Sequence, residues 1–273
     1  MIRKPAVAGY FYPGKKEELE KKLRSFLKES GAQAIPKNRV TGLLLPHAGY
    51  EYSGLVAAET VFSSEFKDIL IILGPNHTGL GEALSVFTEG HWQMPMGDVE
   101  IQADLAKKIV ECSRFLKSDT LAHQSEHSVE VILPFLQFVK KEVGIVPIIL
   151  AQASLDVCQA IARDIIAALD ALRLRDRVSI IASSDMTHYE PQESAQKKDH
   201  CAIEAIVNLD SRELLKRTEE FNISMCGVVP AIIMMEIAKE LKANRGCLVK
   251  YQTSGNATGD YRSVVGYAGI KII

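Results

Sequence analysis

The sequence predicts an α/β protein: one central, mostly parallel sheet with helices on both faces. Three observations predict it. Apolar runs of strand length recur, namely Leu43-Leu44-Leu45, Ile69 to Leu73 and Val178 to Ala182, and they suit strands buried on both faces. Between them lie longer stretches with apolar residues at helical spacing. The two patterns alternate from end to end with no low-complexity linker and no clear repeat, so residues 1–273 are expected to form a single domain.

In chain order, Ala8 to Gly14 reads as an aromatic-rich turn before a helix from about Lys16 to Glu29, closed by Gly31. The first strand follows near Val40. Gly54 to Ser63 is expected to be a helix, with Ser53 as its N-cap. After the Ile69 strand, Leu84 to Thr88 is a further strand, and Gly90 to Asp98, with the single tryptophan, is a loop over the sheet edge. Gln102 to Cys112 reads as a helix, and Ser128 to Glu142 as a helix kinked near Pro134. Ile145 to Leu150 is a strand, and Ser154 caps a helix running to Leu172. Asp210 and Glu213 fit a capping box, and Ser224 is expected to cap a helix running to Ala243. Leu248 to Thr253 and Val264 to Ile270 close the sheet across the turn cluster 255–260.

Composition narrows the function. With 273 residues the chain buries roughly 75% of its unfolded surface, so it needs no disulfides. Its net charge of −2 gives no electrostatic case for nucleic acid or an anionic membrane. No apolar run is long enough for a membrane span, and no secretory signal pattern opens the chain. Five scattered cysteines without a CxxC pair point to a reduced, cytoplasmic protein. No glycine run matches a nucleotide-binding loop.

Three strands end alike. Pro46 precedes His47, Gly74-Pro75-Asn76 precedes His77, and Ser183-Ser184-Asp185 precedes His188. Ligands of open parallel sheets bind outside the carboxyl ends of the strands, so three imidazoles and Asp185 are expected along one edge. Separately, each histidine reads more readily as a turn residue bonded to backbone than as a site residue. Together they suit iron, copper or zinc, and one of them could act as acid or base. Cys226, placed by this reading in the first turn of a helix, is expected to have a lowered thiol pKa and to be the most reactive thiol. Asp185 is expected to orient an imidazole, and Glu130 to be either a solvated helix residue or part of the site. His123-Gln124-Ser125-Glu126-His127 matches H-x-x-E-H, the inverted zinc-protease pattern. The helix that the motif needs is expected to start only after it.

Taken in order, Ala8-Gly9, Pro46-His47-Ala48-Gly49-Tyr50, Gly74-Pro75-Asn76-His77, Glu126-His127-Ser128 with Glu130, Ser183-Ser184-Asp185 with His188, and Cys226-Gly227 resemble the Memo family. That family is named for a mediator of ErbB-driven cell motility. The resemblance spans nearly the whole chain and leaves His123 outside it. It implies a three-layer α/β/α sandwich similar to class III extradiol (LigB-type) dioxygenases. It also implies that His47, His77 and Cys226 bind one transition metal, iron(II) or copper, with zinc as the alternative. His188 and Asp185 would be catalytic, and His127, Glu130, Asn76 and Tyr50 would line the pocket. Cysteine replaces the glutamate ligand of the dioxygenases, and a thiolate is softer and oxidisable. The implied occupant is a small molecule or a peptide, the implied chemistry dioxygenase-like redox or binding without catalysis, and a radical-SAM protein an implied partner.

Overall fold

The structure is a computed structural model that describes residues 1–31 and 37–273. Its strands are β1 (Ile2–Arg3), β2 (Asn38–Arg39), β3 (Gly42–Leu45), β4 (Ser64–Glu65), β5 (Ile69–Pro75), β6 (Leu84–Val86), β7 (His91–Trp92), β8 (Val99–Ile101), β9 (Lys117–Ser118), β10 (Gly144–Leu150), β11 (Val178–Ser183), β12 (His188–Glu190), β13 (Gly246–Thr253) and β14 (Val264–Ile272). Its helices are α1 (Lys16–Ser30), α2 (Tyr50–Phe62), α3 (Ala103–Cys112), α4 (Leu121–Gln124), α5 (Leu133–Val139), α6 (Leu155–Leu172), α7 (Gln192–Val207), α8 (Ser211–Glu220), α9 (Val228–Glu240) and α10 (Gly255–Thr258).

The apolar runs form the middle of the sheet. β10, β5, β11 and β3 lie side by side and all run parallel, with Ile72 opposite Pro147 on one side and Ile181 on the other. Every residue of these four strands is buried, as expected for parallel strands covered on both faces. Antiparallel β14 and β13 extend the sheet beyond β3, while β8, β7 and β1 extend it beyond β10.

Connection handedness sets the layers. The chain moves one way across the sheet from β3 through α2 to β5, and the other way from β10 through α6 to β11. Right-handed crossovers therefore put α2 and α6 on opposite faces. α1 and α5 pack on α2, while α9 packs on β11 and β5 with α6 and α8 against it. The fold is thus α/β, a large central sheet flanked by helices.

Several element boundaries differ from the sequence expectation. α2 begins at Tyr50, not Gly54, because Tyr50 N donates to Phe11 O and the aromatic turn supplies the start. Ser53 lies inside that helix and donates to Ala48 O. The expected helix from Ser128 shrinks to α5, where Pro134 sits in the first turn and its missing N–H costs nothing. The 90–98 segment is not all loop: β7 pairs with β1 and β8, and Trp92 is wholly buried. Ser154 does cap α6. Asp210 caps α8, but Glu213 turns to Arg217, so the capping box is only half made. α9 starts at Val228 behind Gly227, and Ser224 caps nothing; its hydroxyl accepts from His188 N.

Candidate metal centre

Three adjacent parallel strands deliver the site. His47 lies two residues past β3, His77 two past β5 and Asp185 two past β11, which runs between them. Cys226 comes from the turn before α9, the helix that packs on β11 and β5. The imidazole centroids of His47 and His77 are 5.1 Å apart, and Cys226 Sγ lies 3.4 Å from His47 Nε2. One donor atom from each of His47, His77 and Cys226 falls within 4.8 Å of the others. Two imidazoles and a thiol at this spacing fit a soft or borderline transition metal, not magnesium or calcium.

Each group has a fixed support. Asp185 Oδ1 accepts the His47 backbone N–H at 2.9 Å, and Asp185 N points at Cys226 Sγ at 3.2 Å. The Ser183 hydroxyl meets His47 Nδ1 at 2.8 Å. Glu126, almost fully buried, meets His77 Nδ1 at 2.9 Å and its backbone N–H at 2.6 Å. His127 stacks on His77, with centroids 4.8 Å and planes 16° apart, and Phe11 closes edge-on against it.

Burial, aided by the neighbouring His127 and His77, holds the His47 imidazole well below its ordinary pKa. A neutral ring keeps the lone pair that a metal needs. Burial also pulls His77 down, but the bond and charge of Glu126 outweigh it and leave His77 raised. Glu126 itself sits at about 2: burial opposes its ionisation, yet His77 and the Ser128 N–H prevail. Burial lifts Asp185 to about 6.

A cavity of about 810 Å³ opens over this group, lined by His47, His77, His127, Asp185 and His188 on one side. Tyr10, Phe11, Tyr52, Tyr189 and Tyr267 supply its aromatic walls, and the β13–β14 connection contributes Ser254, Thr258, Asp260 and Ser263. Tyr189 holds a left-handed φ of 59° where β12 bulges against β14. Such backbone strain in a bulky residue costs on the order of 1–3 kcal/mol and collects at functional sites.

The structure bears on four of the expectations. Of the two imidazoles that Asp185 could orient, it reaches the ligand histidine His47, through its backbone N–H, and not His188, whose Nδ1 faces Ser224 O at 2.9 Å. Cys226 lies before the helix cap rather than in the first turn, so burial, reinforced by Asp185, pushes its thiol up to about 12 instead of down. Glu130, Asn76 and Tyr50 do not line the cavity. Glu130 is wholly buried against Arg3, Tyr12 and the backbone of Ala6 and Val7; Asn76 ties its own loop through Gly79 and Leu80; Tyr50 donates to Val131 O. Finally, as expected, no helix carries the whole H-x-x-E-H motif: α4 ends before Glu126, so His123 and His127 share no helical face. His123 instead packs among Phe87 and Trp92 and bonds Ser85, away from the cavity.

Sequence reasoning gave Glu126, Ser183 and Ser224 no such support roles. The local signals were Glu126 beside His127 in the H-x-x-E-H pattern, and Glu126 and Ser183 within the motifs that carry the family resemblance.

The comparisons with known proteins agree along the length of the chain. The family profile described as Memo, Memo-like protein, matches residues 3–271. The chain belongs to the Memo family. A MEMO1 family protein of Methanopyrus kandleri is 43% identical over 281 residues, covering 99% of this chain and 98% of that one. One from Aquifex aeolicus is 43% identical over 273 residues, covering 98% of each. An uncharacterized protein from Escherichia coli K12, solved by crystallography, superposes with a TM-score of 0.55 at 11% identity over 85% of this chain and 100% of its own. At that identity the likeness concerns the fold alone. Among the described residues no helix is long and apolar enough to cross a membrane.

Proposed function

We propose that this Memo-family protein holds one transition metal, iron(II) or copper, on His47, His77 and Cys226 and performs dioxygenase-like redox chemistry on a molecule in the cavity above. The observation that carries the reading is the convergence of the three donor atoms within 4.8 Å, with His47 and His77 lining that cavity and Cys226 Sγ 3.4 Å from His47 Nε2. A metal held there supplies a redox couple and open coordination positions. The chain supplies the rest. Ser224 O can only accept, so His188 carries its proton on Nδ1 and presents Nε2 as a proton acceptor to the cavity. Asp185 fixes the His47 backbone, and Phe11 packs edge-on against His127 in the cavity wall. A cytoplasmic setting belongs to this reading, supported by five free cysteines.

Metal analysis of protein purified without added metal tests it. Iron or copper near one per chain supports the reading. Metal-free protein whose melting is indifferent to both metals and to chelator overturns it. A second reading, a peptide- or metabolite-binding module without catalysis, is favoured by one observation. Tyr10, Tyr52 and Tyr189 stand exposed together at the cavity, a rim suited to holding a ligand. Zinc as the sole metal bound would overturn the redox role.

A further inference from the structure

We propose that Glu126 is a positioning residue: through the turn Glu126-His127-Ser128 it holds both His47 and His77 with the ring proton on Nδ1, so that both Nε2 lone pairs face the cavity. This rests on, and deepens, the reading of His47, His77 and Cys226 as a metal group.

The argument for His77 is a count of donors. Glu126 Oε2 receives His77 N at 2.6 Å, and Oε1 receives His127 N at 2.9 Å and Ser128 N at 2.8 Å. These partners are backbone N–H groups, which can only donate. His127 Nδ1, at 3.6 Å, is beyond hydrogen-bond reach. Apart from His77 Nδ1 itself a proton on this carboxyl would meet no acceptor, and with two N–H groups already directed at Oε1 and one at Oε2 both oxygens act as acceptors. The remaining contact, His77 Nδ1 at 2.9 Å, has to be the donor.

The argument for His47 runs through the same turn. Ser128, anchored to Glu126 by its N–H, offers its carbonyl to the Ser183 hydroxyl at 2.7 Å. A hydroxyl has one proton, and this one is spent on a group that can only accept. Ser183 Oγ must then accept from His47 Nδ1 at 2.8 Å. His47 Nε2 is left with its lone pair, 3.4 Å from Cys226 Sγ.

The turn is also pinned to the strand it serves. Ser128 Oγ donates to Pro75 O, the last residue of β5. A Cβ on Gly74 would lie 2.4 Å from that Oγ, so only glycine there lets the turn approach. One buried carboxylate thus sets two imidazoles on two different strands. Outer partners of this kind typically change metal affinity 10–100-fold when lost.

The test needs no loaded enzyme. Ring nitrogen NMR of the metal-free protein, above the imidazole titration range, reads the tautomers directly. Wild type is expected to carry the proton on Nδ1 at both His47 and His77. Glu126→Ala, which leaves His77 Nδ1 no acceptor, should move His77 toward the Nε2–H form, whereas Glu126→Gln can keep an amide oxygen at the Oε1 position and loses the charge; Ser183→Ala should move His47 in the same way, and Ser183→Thr should restore it. Zinc(II) affinity, measured by chelator competition, should fall about 10–100-fold with Glu126→Gln and Ser183→Ala. A proton on Nε2 of either ring in wild type overturns the proposal, as do variants that leave both tautomer and affinity unchanged. If Glu126→Ala does not fold, the wild-type spectrum and the Ser183 pair decide. Tautomers as expected in a protein that takes up no metal would sink the metal reading and leave the positioning role intact.

Discussion

The Arg3 guanidinium and the Glu130 carboxylate meet at 2.6 Å with both side chains almost wholly shielded from solvent. Arg3 also bonds the carbonyls of His123 and Glu126 and lies over the Trp92 ring, while Glu130 takes the N–H groups of Ala6 and Val7 and the Tyr12 hydroxyl. The pair fastens the first dozen residues, and with them Phe11, against the turn that carries His127.

Glu130→Ala should therefore do more than remove a charge. It leaves Arg3 buried without its partner, a change that costs about 3–5 kcal/mol. Urea unfolding should report a loss of that order. The Phe11–His127 ring contact should loosen with it, visible as a shift of the His127 ring resonances.

His47→Ala and His77→Ala should each lose most bound iron or copper while keeping the α/β fold. Both residues lie beyond their strands, outside the leucine and isoleucine core. Metal content and far-ultraviolet circular dichroism of the purified variants check this. Full occupancy in either variant removes that histidine from the ligand set.

The thiol prediction reverses the expectation drawn from sequence. Cys247 is exposed, whereas the Cys226 thiol is shielded and raised to about 12. A limiting alkylating reagent at neutral pH should label Cys247 first, by peptide mapping. Because metal binds thiolate, copper(I) or zinc(II) uptake should release one more proton in wild type than in Cys226→Ala. Equal release would place the thiol outside the coordination sphere.

Buried His123 makes stability fall in mild acid. Burial, with the nearby Arg3, lowers its pKa from 6.5 to about 3. The unfolded chain therefore takes up this proton first as pH falls. The stability gained by keeping the ring neutral is complete above about 6.5 and is withdrawn as pH drops toward about 3, by at most about 1.4 kcal/mol per pH unit. His123→Gln should flatten the pH dependence of unfolding between pH 6.5 and 4.5. A slope unchanged by the substitution would show that other groups set it.

Much of this was legible in the sequence, for a local reason. An apolar run stopped by Pro46, by Gly74-Pro75 or by Ser183-Ser184 announces a buried strand and its end, and the residues just past that end follow at once. The partners of those residues were not legible. Ser183 reaches a histidine 136 positions away, and Glu126 one 49 positions away; no periodicity records such distances. Glu130 fitted a solvated helix because its neighbours have helical spacing, yet an arginine 127 positions earlier decides its surroundings. Cys226 was misplaced by one cap: Ser224 has the chemistry of an N-cap, but its hydroxyl is engaged by His188.

The cavity is built from two kinds of material. Its floor hangs from β3, β5 and β11, interior strands clamped on both faces. Much of the opposite wall, from Ser254 to Ser263, is a single surface connection between β13 and β14. Replacing those ten positions re-lines the chamber without touching a donor atom or its supports. Such a division would let a lineage keep the His47, His77 and Cys226 cluster and trade its clientele, one loop at a time.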